Sequence, residues 1–300
     1  MITLLDGSIG QELINRSSAA PTGLWGIKVM LDDPGILESI HTDYYNAGAL
    51  IATANTYNIL RDRLSQFDAE DKFRTYQELA LGIVNKARDA RGSGYVAGAM
   101  GPLAASYRPD LAPPADQAAD AYAEIAQIQA PFVDVFILET MASVDQARGA
   151  VMGASVPNKP VWLAVSVDDK DGTCLRSGEP LSALIDGIKD LPVQALLINC
   201  SRPEAVSQSI PLLPRDMPIG AYANGFTEIT EAFAKPGQVV TDLTARRDLG
   251  PDEYADYALR WADDGATILG GCCEIGPAHI AKLRDRIDTE GLDRAKEIQF

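Results

Sequence analysis

The chain has 300 residues, 46% of them hydrophobic and 23% charged, a globular composition that excludes disorder and collagen-like structure. Its 26 basic and 42 acidic residues leave a net charge of −16, which repels phosphate backbones and anionic headgroups, so neither nucleic acid nor membrane is an expected partner. No apolar run reaches the ~18 residues that span a bilayer and no basic leader follows Met1, so a cytoplasmic protein is expected.

In chain order, short apolar runs alternate with helix-period segments. Ile2–Leu5 is the first run; Asp33 and Pro34 then start a helix that ends near Gly48, and Leu50–Ala54 follows. Tyr95–Ala99 and Val133–Leu138 come next, after which Ser143 and Gln146 read as a capping box for a helix. Val161–Val167, Ala195–Ile198 and Ile219–Ala223 continue the series, while 109–114 and 211–218 read as loops. Pro251 opens a helix whose Tyr254, Tyr257, Ala258 and Trp261 make one apolar stripe before Gly265, and Ala266–Leu269 is the eighth run. Eight strand–helix alternations without a linker or internal repeat predict an α/β fold, a single (β/α)8 TIM barrel over residues 1–300, with a doubly wound sheet as the alternative.

Such barrels build their sites where the strands end. The residues there are Asp6-Gly7, Asn55-Thr56-Tyr57, Gly101-Pro102, Glu139-Thr140, Asp168-Asp169, Asn199-Cys200, Asn224-Gly225 and Gly270-Gly271-Cys272-Cys273. Three of the four cysteines therefore lie at two strand ends that face one mouth, where Cys200, Cys272 and Cys273 can hold Zn²⁺ and leave its fourth position open. An isolated cysteine at a strand end reads as a small hydrophobe, and a vicinal pair as accidental or oxidised; the paired Asn-Cys and Gly-Gly-Cys-Cys ends favour the metal. Cys174, in the loop after the fifth run, reads as a bystander. With only two histidines, His41 and His279, and no hydrolase, P-loop or dinucleotide motif, carboxylates, amides and cysteines must carry any chemistry.

Zinc on three thiolates is a weak Lewis acid for water but stabilises an incoming thiolate, which suits thiolate attack on an electrophilic carbon. For an amino-acid thiol, Asp6 and Glu139 are the carboxylates placed to take the ammonium, and the amides of the 6–10 turn the carboxylate. Asp168 and Asp169 read as a solvated loop. A non-catalytic barrel with structural cysteines is the competing reading; zinc content separates the two.

The segments Leu4-Leu5-Asp6-Gly7-Ser8-Ile9-Gly10-Gln11-Glu12-Leu13, Leu24-Trp25, Asn55-Thr56-Tyr57, Glu139-Thr140, Ile198-Asn199-Cys200, Tyr222-Ala223-Asn224 and Gly270-Gly271-Cys272-Cys273 occur in this order across nearly the whole chain. In them the chain resembles the zinc-dependent homocysteine S-methyltransferases, which include S-methylmethionine, betaine and folate-linked enzymes. The resemblance implies a (β/α)8 barrel, Zn²⁺ on Cys200, Cys272 and Cys273, Asp6 and Glu139 on the homocysteine ammonium, and methionine as product. Asn55, Tyr57, Asn199 and Asn224 are expected to line the substrate site, with Trp25 over a donor cation. Two departures stand out: Ser8 where many members have a second glycine, and Asn58 and Thr140 where betaine users carry tyrosines. The incomplete aromatic cage, and the better leaving group of a sulfonium, point to S-methylmethionine, or S-adenosylmethionine as a poorer surrogate, ahead of betaine. Small-molecule substrates are the expected partners; a homo-oligomer is compatible with the sequence, which sets no oligomeric state.

Overall fold

The computed structural model describes residues 1–18, 24, 26–229 and 243–300. Each apolar run contains a strand: β1 (Thr3–Leu4), β2 (Ile51–Thr53), β3 (Tyr95–Met100), β4 (Val135–Met141), β5 (Val161–Val165), β6 (Ala195–Asn199), β7 (Ile219–Tyr222) and β8 (Ile268–Leu269). Neighbours are parallel in the order β1-β8-β7-β6-β5-β4-β3-β2. A Leu5–Ile51 bridge and the Leu50 N–H donating to the Leu4 carbonyl (2.8 Å) join the two ends of that order, giving the (β/α)8 barrel. Strands buried on both faces read as continuous apolar runs, which is why the sequence shows runs and not alternation.

Alternation is present nonetheless, as a division between two cores. Val135 and Ile137, Trp162 and Ala164, and Ala195 and Leu197 pack together as the barrel interior with Leu5, Tyr222 and Ile268. The intervening Phe136, Leu138, Leu163 and Leu196 join the larger core beneath the helices. Extended by one step of two, the interior columns arrive at Thr53, Glu139 and Asn199. A polar site at the carboxyl ends of the strands is therefore a continuation of the barrel filling. At the opposite end, Phe300 packs on Tyr95 and Trp162, with ring centroids 5.3 and 6.1 Å apart.

The helices are α1 (Ile9–Arg16), α2 (Gly26–Asp32), α3 (Pro34–Ala47), α4 (Arg61–Leu64), α5 (Phe73–Arg91), α6 (Ala115–Gln129), α7 (Val144–Ala154), α8 (Leu181–Ile188), α9 (Pro203–Ser209), α10 (Pro251–Asp263) and α11 (Pro277–Thr289). Their punctuation follows the residues. Asp33 caps α3 by accepting from the Gly35 N–H (3.1 Å), and Gly48 ends it in the left-handed conformation, φ 114°. Ser143 caps α7 through the Gln146 N–H (3.2 Å), but the Gln146 side chain bonds the Ala142 N–H (2.8 Å), so only the serine half of the expected box forms. No helix among the described residues is long and apolar enough to cross a membrane.

Candidate active site

Cys200 follows β6 directly, and Cys272 and Cys273 follow β8 after two glycines. Those glycines are required for room, since neither has a positive φ. A Cβ on Gly270 would stand 2.6 Å from the Leu5 Cβ, and one on Gly271 would run into the Ile275 side chain. The three Sγ atoms lie within 4.8 Å of one another, and among the described residues they are the one such group of potential metal ligands. In this structure Cys200 and Cys272 are joined as a disulfide, with Cα atoms 5.7 Å apart, while Cys273 and Cys174 are free. Sulfurs gathered within reach of one ion are also within bonding reach of each other once oxidised, so the disulfide and a metal site are alternative states of one cluster. The donor set of the reduced chain, three thiols and no histidine, fits a thiophilic ion such as Zn²⁺. Burial, and then the charges of Glu274 and Glu139, push the Cys273 thiol up to about 12, so it stays neutral until a cation arrives.

Cys200 itself has φ +47°, a left-handed backbone uncommon for a residue with a Cβ. Its carbonyl accepts bonds from the Ser166 hydroxyl (3.2 Å) and from Arg176 Nη2 (3.1 Å). Arg176 is in turn paired with Asp169 at 3.0 Å, the two side chains being only 9% and 7% exposed. Asp169 also accepts from the Arg202 and Ile229 N–H groups (3.1 and 2.9 Å). The expectation of a solvated Asp168-Asp169 loop is thus corrected: Asp169 is a buried anchor beneath a cysteine, and only Asp168 acts as a loop cap, accepting from the Lys170 and Asp171 N–H groups.

Asp6 is buried after β1, its carboxylate accepting from the Thr53 N–H (2.7 Å) and hydroxyl (3.0 Å). Burial nevertheless holds it well above the usual carboxylate range, and the charge of Glu139 adds to the rise. Burial raises Glu139 to about 7 against the opposing bond from the Tyr222 hydroxyl (3.0 Å). Two neighbouring carboxyls with pKa values raised by burial are a pair that an arriving cation would help to ionise. Thr140, next to Glu139, has φ +63°. Asn199 holds that turn, accepting from the Thr140 N–H and donating to the Thr140 hydroxyl, both at 3.0 Å.

One cavity of about 600 Å³ is lined by all of these groups: Asp6, Glu139, Asn199, Tyr222, Cys200, Cys272 and Cys273. Asn55 and Tyr57 also line it, with the Tyr57 hydroxyl bonded to Ser106 at 2.7 Å. Ser8, Ile9 and Gly10 at the start of α1 line it too, although the Ser8 N–H is already given to the Ile275 carbonyl (3.0 Å), which leaves the first-turn amides of α1 as the donors for a carboxylate. Asn224 does not line the cavity: β7 ends at Tyr222, and the Asn224 side chain turns back to accept from the Phe226 N–H (3.1 Å). Trp25 lies outside the described residues. Sequence reasoning missed Tyr222, Thr53 and Arg176. The interior period of two could have found the first two, each at the last position of its strand; no local signal marks Arg176.

A parallel barrel whose strand ends bring three cysteines and two carboxylates onto one cavity gathers its reactive groups where an enzyme of this fold carries its active site. The family model for homocysteine S-methyltransferase matches residues 3–287, and the chain belongs to that family; it is a methyltransferase. It is 27% identical to the homocysteine S-methyltransferase of Escherichia coli (strain K12), covering 95% of both chains. Homocysteine S-methyltransferase YbgG of Bacillus subtilis (strain 168) is 25% identical, covering 94% of this chain and 93% of that protein. The crystal structure of the Escherichia coli homocysteine methyltransferase MmuM in its metallated form superposes with a TM-score of 0.79 at 25% identity, covering 95% of this chain and 96% of that one.

Proposed function

We propose that the protein transfers a methyl group from a small sulfonium, S-methylmethionine ahead of S-adenosylmethionine, to the thiolate of homocysteine, giving methionine, with Zn²⁺ on Cys200, Cys272 and Cys273. The observation that carries this reading is the shared cavity: the cysteine cluster and the Asp6–Glu139 pair open on the same space. The homocysteine ammonium sits between the two carboxyls, where its charge offsets their burial and lets both ionise. Thr53 and Tyr222 keep those carboxyls in place, and Asn199 holds the turn that presents Glu139. The first-turn amides of α1 receive the amino acid's carboxylate. Zn²⁺ on the three thiolates would supply the charge that keeps an incoming thiol ionised near neutral pH. The homocysteine sulfur forms its bond to the methyl carbon while the donor's carbon–sulfur bond breaks, and the electron pair leaves on a neutral thioether. Leu5, Phe226 and Leu243 in the cavity wall limit the water that would otherwise solvate the thiolate.

The test is a donor screen on reduced, zinc-loaded protein with homocysteine, measuring methionine. S-methylmethionine is expected to outpace betaine at equal concentration. A clear betaine preference would overturn the sulfonium assignment, and no methionine from any donor would overturn homocysteine as acceptor.

A further inference from the structure

The cavity wall holds three carboxylates, Asp6, Asp62 and Glu139, and among the described lining residues one cation, Arg63. In a chain with 16 more acids than bases, a guanidinium normally finds a carboxylate, as the neighbouring Arg61 does with Glu70 and Glu124, yet no ion pair forms at Arg63 among the described residues. Its Nη1 donates to the Asn58 side-chain oxygen and its Nη2 to the Pro102 carbonyl (3.0 Å) and Ser106 hydroxyl (3.3 Å), all neutral acceptors. Its Nε is buried and has no hydrogen-bond partner among the described residues. The guanidinium lies over the Tyr57 ring, 5.5 Å from the centroid. It is thus held in place from several sides while keeping its charge uncompensated, the condition in which a guanidinium best receives an anion.

Position decides which anion. Arg63 lies on α4, in the segment between β2 and α5, where the exposed Phe67 (42%) also lines the cavity. Asp6 and Cys200, by contrast, are nearly inaccessible, at 2% and 5%. The cation therefore belongs to the loop layer over the strand ends, on a different element from the pair proposed to take the acceptor's ammonium. We infer that Arg63 is the specificity residue for the methyl donor, pairing with a carboxylate on the donor's tail. This rests on the proposed methyl transfer, and it extends that reading by requiring a donor that carries an acid group. Asp62 supports the arrangement by accepting from the Arg63 N–H (3.0 Å) and the Ala104 N–H (2.5 Å), which ties the start of α4 to the loop after β3.

The experiment compares S-methylmethionine with its carboxamide as donors for zinc-loaded wild-type protein and for Arg63→Gln and Arg63→Lys, with homocysteine as acceptor. Wild type is expected to favour the acid by roughly tenfold to a hundredfold in kcat/KM, the range of a charge-assisted hydrogen-bonded contact. Arg63→Gln should lose that preference, Arg63→Lys should keep part of it, and the homocysteine KM should stay within about twofold of wild type. Equal use of acid and amide by wild type, which needs no variant to fold, would overturn the inference, as would an acid preference that survives in Arg63→Gln. If betaine proves the better donor, betaine and its carboxamide form the same pair: an acid preference lost in Arg63→Gln then supports the inference while the sulfonium assignment falls.

Discussion

Replacing Glu139 by glutamine should make the ligand-free protein more stable and less able to bind homocysteine. Glu139 ionises near 7 in the folded chain against 4.5 for an ordinary glutamate, because burial disfavours its charged form. The folded state therefore binds more protons than the unfolded state between those pH values, and stability falls as pH rises through that window. At about 1.4 kcal/mol per pH unit the cost of the ionised group is roughly 3 kcal/mol, absent below pH 4.5 and fully present above about pH 7. Denaturant unfolding of wild type and Glu139→Gln from pH 4 to 8, without ligand, reads this directly. The two should coincide at the acid end and separate by up to about 3 kcal/mol at pH 8, with the variant the more stable. Homocysteine binding should move oppositely, weakening by roughly 2 to 5 kcal/mol in the variant and, in wild type, improving as pH rises toward 7. Parallel stability curves, or an unchanged homocysteine dissociation constant, would refute the argument that this carboxyl waits for an ammonium.

Two further outcomes test the cluster and its support. Cys200→Ala, Cys272→Ala and Cys273→Ala should each lose bound zinc by elemental analysis while Cys174→Ala keeps it, because a two-thiolate site exchanges its ion readily; full occupancy in any of the first three would remove that residue from the ligand set. Arg176→Gln strands the buried Asp169 charge and frees the Cys200 carbonyl, so it should cost about 3 to 5 kcal/mol in unfolding of the metal-free reduced chain and weaken zinc binding; a loss below about 1 kcal/mol would show that the pair does not support Cys200.

The barrel is legible in the sequence because two-sided burial writes each parallel strand as an apolar run, and the site because strand ends such as Glu139-Thr140 and Asn199-Cys200 break those runs with polar residues. Strand limits are less legible where backbone geometry intervenes: β4 continues past Leu138 to Met141 across a register shift, which hides its true end behind the glutamate. Asn224 reads as a cavity residue because it follows the seventh apolar run, but β7 stops at Tyr222 and the Asn224 side chain is spent on the Phe226 N–H. The role of Asp169 depends on Arg176, seven residues along a loop whose path no periodicity describes. Pairing of Cys200 with Cys272, and not of the adjacent Cys272 with Cys273, is a property of the closed barrel alone.

That closure has an implication for how the cysteine cluster would acquire an ion. β8, whose end carries Cys272 and Cys273, is flanked by β7 and by β1, whose end carries Asp6, and Cys200 stands one strand further round on β6. During synthesis Asp6 emerges long before the vicinal cysteines, and Cys200 before them as well, so a nascent chain ending short of β8 offers one thiol from this cluster and leaves the β8 side of the first strand unpaired. The cavity that holds Asp6 and the sulfur cluster are thus completed by a single event, the docking of the last strand between the first and the seventh. Loading of an ion on all three cysteines would follow that event, and an ion bound there would act as a clasp on the seam, slowing the reopening through which the barrel unfolds.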